Sequence, residues 1–209
     1  MPAESSGRRN ATFRPHSRRK GTESGISLKG RGAIVRELAA LIVDAIAPAV
    51  RPVVLIDGRS GSGKSTLASL LAPELGAELV RLDDLYPGWS GLEAASRMVV
   101  EDVLQRGRWT RWDWQLGMPA ECHQLDTTRP LVVEGSGCLT RRSAELATAS
   151  IWVELDAVTR RRNAMLRDGE LYAPFWDIWA AQEADSIARE NPRSLAQIVL
   201  SGADFSRIR

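Results

Sequence analysis

Val53-Val54-Leu55-Ile56-Asp57-Gly58-Arg59-Ser60-Gly61-Ser62-Gly63-Lys64-Ser65-Thr66 is the stretch from which the rest of this 209-residue chain can be read. A β-branched, apolar run enters a glycine-rich turn, and Thr66-Leu67-Ala68-Ser69-Leu70-Leu71-Ala72 leaves it with the composition of a helix. The turn fits G-x-x-x-x-G-K-[ST], and it has the strand before it and the helix after it that this pattern requires. Glycines let the backbone aim its N–H groups inward around phosphate oxygens, and the following helix adds its positive dipole end. The reading makes Gly58, Arg59, Ser60, Gly61, Ser62, Gly63, Lys64, Ser65 and Thr66 a binding loop for the phosphates of ATP. Lys64 then reaches the β- and γ-phosphates, and the Ser65 hydroxyl ligates Mg2+. Lysine usage agrees. Beyond Lys29 positive charge is carried by arginine everywhere except at Lys64, where a compact, flexible ammonium suits a phosphate tail.

Composition narrows the classes that remain. Apolar content of 44% and charged content of 26% are those of an ordinary globular domain. No apolar run approaches the roughly 18 residues a membrane span needs. The N-terminus lacks the apolar segment of a secretory signal, and a cytoplasmic location is expected. Cys122 and Cys138 are too far apart for a C-x-x-C metal or redox pair, so two reduced thiols are expected, with a single disulfide as the alternative. The net charge of +2 is uneven. Within residues 1–30, seven lysines and arginines stand against Glu4 and Glu23, a local +5 that leaves −3 for the rest. A mildly acidic body argues against a nucleic-acid-binding domain. The first thirty residues, rich in Ser, Gly and Arg, are expected to be a disordered basic extension, and residues 31–209 the folded domain. That extension suits either a leader without a role or an arm touching acidic partners.

Period and breakers give the element order. Ile34, Leu38, Leu41, Ile42 and Ala45 place a helix over 33–47, ended by Pro48. Strand one is 53–57, and the helix after the loop stops near Pro73 or Gly76. Glu78 to Leu82 is a second strand that delivers Asp83-Asp84 at its C-terminal end, followed by a helix from about Leu92 to Gln105. Residues 107–130, with their tryptophans and Pro119, are expected to be an irregular functional loop. Strands follow at Leu131–Gly135, 150–155 and 196–200, with helices near 157–168 and 174–190 between the last two. Strands alternating with helices predict an α/β three-layer sandwich with a parallel, roughly five-stranded sheet. In such sheets ligands bind beyond the C-terminal strand ends, where the motifs fall.

Three further motifs belong to that end. Asp83-Asp84-Leu85-Tyr86 puts two carboxylates and an aromatic after strand two, able to take a proton from an attacking hydroxyl or to hold Mg2+ through water; a solvated acidic turn is the alternative. Leu131-Val132-Val133-Glu134-Gly135 is an apolar strand ending in a carboxylate, placed to complete a Mg2+ shell with Ser65; a strand ending at a polar turn is the alternative there. Arg160 and Arg167 are seven residues apart on one helix face and can clamp phosphates as a lid, or simply face solvent.

Taken together, Gly58–Thr66, Asp83-Asp84-Leu85-Tyr86, Val133-Glu134-Gly135 and Arg160…Arg167-Asp168 resemble the uridine kinase, phosphoribulokinase and nicotinamide riboside kinase group of P-loop kinases, over roughly residues 50–170. The resemblance implies an ATP- and Mg2+-dependent transfer of the γ-phosphate to a hydroxyl of a small molecule. It implies Asp83 as general base and Mg2+-linked acid, Tyr86 as a substrate contact, Glu134 as the strand-end acid, and Arg160 with Arg167 as the lid pair. Lys64, Asp83 and Arg167 are the expected catalytic residues, Arg160 an expected ATP contact, and Ser65, Asp83 and Glu134 the expected metal set. The chain departs from the group where an Asn-[Phe or Trp]-Asp stretch is usual and Arg111-Trp112-Asp113-Trp114-Gln115 stands instead. Asp113 can grip a diol with Trp112 or Trp114 as an apolar wall, so Asp84, Tyr86, Trp112, Asp113 and Trp114 are the expected acceptor contacts. Arg108 or Arg111 leave room for an anionic acceptor. Trp176, Trp179 and Glu183, at helical spacing, suit core packing or a substrate box.

The other function class compatible with the sequence is a regulatory NTPase without a small-molecule acceptor. The Asp83-Asp84 pair separates the two, because hydrolysis by water needs no base at that position for an alcohol. A GTPase is disfavoured, since the guanine-reading N-K-x-D motif needs a lysine and none follows Lys64.

Overall fold

Six consecutive buried residues, Val53–Gly58, form the central strand β1. A strand with no polar face must be covered on both sides, and here it is. The computed structural model describes residues 51–200 together with Arg36, Glu37 and Ala40. Those three positions are helical; the remainder of the helix expected over 33–47, and the basic extension over 1–30, lie outside the described residues. After β1 come α1 (Lys64–Glu74), β2 (Glu78–Arg81), α2 (Leu92–Met98), β3 (Arg108–Asp113), β4 (Met118–Gln124) and β5 (Leu131–Glu134). They are followed by α3 (Arg141–Ala144), β6 (Ala149–Val153), α4 (Ala157–Asp168), α5 (Trp176–Glu190), α6 (Pro192–Leu195) and β7 (Ile198–Leu200).

The main sheet has five strands in the order β2-β5-β1-β6-β7, and every pairing is parallel. Alternation along β1 splits the core. Val54 and Ile56 face Leu67, Ala68 and Leu71 of α1, whereas Val53 and Leu55 face a larger cluster that includes Leu92, Ala95, Val99, Tyr172 and Trp179. The result is the three-layer α/β sandwich that the alternating strands and helices predicted. Because β1 lies between β5 and β6, the chain leaves it toward opposite sides of the sheet, opening a crevice at its C-terminal end.

Local chemistry sets the boundaries. The turn that ends α1 places Gly76 at φ 60, and Ala77 N–H returns to Ala72 O at 2.8 Å, closing the last helical carbonyls. The second strand stops one residue early, because Leu82–Asp84 winds into a 3-10 turn that carries both aspartates. The helix expected to Gln105 continues past Met98 as a π-helical stretch, Val99–Leu104. Among the described residues no helix is long and apolar enough to cross a membrane.

One expectation is corrected. Residues 107–130 do not form an irregular loop; they contain an antiparallel hairpin in which Arg108 pairs Gln124 and Asp113 pairs Met118. Pro119 and the tryptophans concealed it. A two-stranded ribbon has edges on both sides, so a proline without an N–H is tolerated opposite Trp112. The turn is closed by Asp113, whose Oδ1 accepts from the N–H groups of Gln115 and Leu116 at 2.8 and 2.9 Å. Gly117 supplies a left-handed residue at φ 65.

Candidate functional site

The loop after β1 has the shape its sequence demands. Gly61 and Gly63 sit at φ 78 and 98, a region that favours glycine. A Cβ at Gly61 would run into the backbone carbonyl of Arg160, so the loop and α4 touch where only glycine fits. No side chain caps α1, which leaves its first N–H groups facing the crevice as an anion site. Gly61, Gly63, Lys64, Ser65 and Thr66 line one side of a cleft of about 630 Å3, and Ser69, Arg81, Asp83, Asp84, Asn163, Ala164 and Arg167 line the other. That volume lies in the range of small-molecule and cofactor sites.

Beneath the loop, buried carboxylates hold it in place. Asp57, at the end of β1, accepts from the N–H groups of Gly58, Gly137 and Leu139 at 2.6, 3.0 and 2.8 Å. Burial outweighs these bonds and raises its pKa from the ordinary 3.8 to about 6. Glu183 arrives from α5, 123 residues away in sequence, and its Oε1 accepts the Ser60 N–H at 2.6 Å. Its Oε2 accepts from Arg59 Nε at 3.0 Å, so the Arg59 side chain turns toward α5 and bonds Ala180 O as well. Ser136 Oγ lies 3.0 Å from both Gly58 O and Glu183 Oε1, with one proton to give. Sequence reasoning missed both clamps. The charge ending an apolar strand at Asp57 was a visible signal; Glu183 had none beyond its place in the Trp176-Trp179-Glu183 stripe.

Glu134 and Ser65 meet as expected. Ser65 Oγ donates to Glu134 Oε2 at 3.1 Å. Glu134 Oε1 is buried without a hydrogen-bond partner, its nearest cation being Arg81 Nε at 3.7 Å. Burial, then the nearby charge of Asp83, pushes its carboxyl up from 4.5 to about 7. A hydroxyl, a carboxylate with an uncommitted oxygen and an open cleft suit Mg2+, which keeps several waters and takes its remaining ligands from phosphates. Among the described residues no cluster of three His, Cys, Asp or Glu side chains forms a self-contained metal cage, and Mg2+ in such a site needs none.

The crevice continues past Lys64 into a second, smaller cavity of about 40 Å3. Ser60, Tyr86, Trp89, Trp114, Ser136, Asp168, Tyr172 and Trp179 line it, and Lys64, Asp83 and Arg167 line both cavities. The three residues expected to be catalytic therefore stand at the boundary between a large phosphate cleft and a small aromatic chamber. Arg167 is oriented there by Asp168, with Nε and Nη2 at 2.8 and 2.7 Å from Oδ2.

The other expected residues divide. Tyr86 is buried, donates to Ser136 O at 2.9 Å and meets Trp179 edge-on at 4.6 Å, so it offers the chamber its ring. Trp114 Nε1 donates to Asp83 O at 2.9 Å, tying the hairpin to the acidic turn. Asp84 lines the large cleft and not the chamber; burial and Asp83 raise its pKa. Trp112 and Asp113, expected beside the acceptor, line neither cavity, and the Asp113 carboxylate is committed to the hairpin turn. Arg160, expected at the phosphates, is buried behind the loop, donating to Leu155 O and Ser60 O at 3.1 and 3.3 Å. Asn163 stands closer to the cleft, with Nδ2 donating to Gly61 O at 3.1 Å. Trp89 and Tyr172 were not foreseen in the site. They stack at 5.5 Å, and Trp89 stacks on Phe175 at 4.3 Å.

Comparison with known proteins agrees with this architecture. A solved structure from Silicibacter sp. TM1040, provisionally named a fructose transport system kinase, superposes with a TM-score of 0.53 at 18% identity, covering 79% of this chain and 98% of that one. A Bacillus stearothermophilus structure, provisionally named a uridine kinase, gives 0.55 at 18% identity and covers 83% and 98%. At that identity the likeness is one of fold. No family model and no curated protein matches the chain.

Proposed function

We propose that this chain is an ATP- and Mg2+-dependent kinase that transfers the γ-phosphate to a hydroxyl of a small molecule, a nucleoside, a sugar or a similar acceptor. The observation that carries the reading is the shared boundary: Lys64, Asp83 and Arg167 border both the large cleft and the aromatic chamber. A triphosphate in the cleft then points its γ-phosphate at an acceptor in the chamber, with a base and two cations at the crossing.

The roles follow from the chemistry of each group. The loop N–H groups and the Lys64 ammonium bind the β- and γ-phosphate oxygens. Ser65 and Glu134 hold Mg2+, which when bound offsets phosphate charge. Asp83 accepts the proton of the acceptor hydroxyl as its oxygen bonds to the γ-phosphorus and the bond to the β–γ bridging oxygen breaks. Arg167 stabilises the charge on the phosphoryl oxygens in flight, and Asp168 keeps its guanidinium aimed. Glu183 and Asp57 keep the cradle in its binding shape before substrate arrives, so little reorganisation is left for the reaction itself.

The test is ADP release from ATP and Mg2+ with and without a panel of alcohols, repeated with Lys64→Ala. Acceptor-dependent release that falls by about three orders of magnitude in the variant is expected. Release at one rate whatever the alcohol supports a regulatory NTPase instead, and a near-normal rate in Lys64→Ala refutes both.

A further inference from the structure

The chamber behind Asp83 is small, flat-walled and short of positive charge, and each property restricts what can enter it. Its free volume of about 40 Å3 corresponds to about three water molecules at one probe sphere each. That is room for a single six-membered ring with its hydroxymethyl arm reaching toward Asp83, and too little for a base and a sugar together.

The walls are aromatic. Trp89, Trp114, Tyr172 and Trp179 surround the space, and the polar tips whose partners are known turn away from it: Trp114 Nε1 is held by Asp83 O and Tyr86 Oη by Ser136 O. Ring faces favour a flat body that stacks over a chain of hydroxyls needing partners.

Charge decides the rest. Among the residues lining the chamber, the cations are Lys64 and Arg167 and the anions are Asp83 and Asp168. Arg167 is already paired to Asp168, and Lys64 faces the phosphates of the donor. With the γ-phosphate in place the balance at the crossing turns negative, so a second phosphate or a carboxylate on the acceptor meets repulsion and no spare cation. The hairpin offers none either, because Arg111 is bound twice by Glu121, at 2.5 and 3.0 Å.

We propose, resting on the kinase reading above, that the acceptor is an uncharged alcohol built on one flat ring. Phosphorylated sugars are excluded by charge and nucleosides by size. The transfer step is the one already written: the ring's hydroxyl oxygen gains the phosphoryl group, its proton passes to Asp83, and ADP leaves.

The experiment measures ADP release by the full chain with ATP and Mg2+ and three probes: 3-pyridinemethanol, uridine and ribose 5-phosphate. The expected result is a kcat/KM for 3-pyridinemethanol at least 100-fold above the other two. A higher value for uridine or ribose 5-phosphate overturns the proposal and leaves the kinase reading intact. ADP release indifferent to all three overturns the kinase reading and the proposal with it. Trp89→Ala enlarges the chamber and is expected to shift the uridine to 3-pyridinemethanol ratio at least tenfold toward uridine, with folding verified by the thermal midpoint. An unchanged ratio in the folded variant overturns the assignment of selectivity to this chamber.

Discussion

Replacing Glu183 tests whether the phosphate loop is held from below. The carboxylate is 3% exposed and accepts three donors, the closest being the Ser60 N–H at 2.6 Å. In Glu183→Ala that buried N–H loses its acceptor, which costs about 1–3 kcal/mol. The emptied volume adds about 1–2 kcal/mol. The Arg59 pair contributes little, because its guanidinium side is 31% exposed and retains Ala180 O, so at most about 0.5 kcal/mol is assigned to it. The expected loss is about 3–5 kcal/mol, read as a lower urea midpoint at unchanged slope. Glu183→Met refills the volume but still strands the N–H, so it should recover about a third of the loss. Glu183→Gln restores an acceptor oxygen and should recover more than half. ATP affinity is the second readout: a loop released at Ser60 presents its N–H groups poorly, and a roughly tenfold weaker Kd is expected in Ala and Met, and a few-fold change in Gln. A loss below about 1 kcal/mol in Glu183→Ala, or a Met variant as stable as wild type, would show that the loop holds itself and would sink the clamp argument.

Three other outcomes follow from the same geometry. Asp83→Asn should abolish acceptor phosphorylation and leave ATP affinity within a few-fold, whereas Glu134→Gln should raise the Mg2+ concentration needed for half-maximal rate; equal loss of ATP binding in both refutes the separation of roles. Asp57 has its folded-state pKa raised from 3.8 to about 6, so its contribution to stability is complete below 3.8 and is lost as pH rises through 6. That change amounts to about 3 kcal/mol; urea titrations from pH 4 to 7.5 should show wild type losing that much relative to Asp57→Asn, and parallel pH profiles would refute it. Asp113→Ala removes the acceptor of two turn N–H groups and should lower stability by about 1 kcal/mol, with acceptor KM unchanged; a raised KM at unchanged stability would return Asp113 to the acceptor site.

The parts of the fold legible in the sequence are those written in short-range pattern. The loop glycines, the buried runs at Val53–Ile56 and Leu131–Val133, and the carboxylates ending strands or following them each declare themselves within ten residues. The hairpin was legible in part: Arg108 to Asp113 alternates, but Pro119 and the clustered tryptophans read as breakers because nothing local says the ribbon has free edges. The clamps were not legible. Glu183 acts on Ser60 across 123 residues, and helical spacing alone makes it one more member of a packing stripe. Arg160 shows the converse limit. Spacing placed it on the face of Arg167, yet Arg160 lies where α4 meets the loop and is drawn to carbonyls behind it.

That junction also dictates how α4 can move. Its first turns are bolted to the loop by the Gly61–Arg160 contact, by Arg160 on Ser60 O and by Asn163 on Gly61 O. Its far end gives way at Gly169, at φ 56 with open space where a side chain would be. The helix is thus a beam fixed at one end, with its freest joint beyond Arg167 and Asp168. Any swing that brings Tyr172 and Phe175 over an acceptor pivots at Gly169 and leaves the cradle undisturbed, so closing the chamber and gripping the triphosphate are mechanically separate acts.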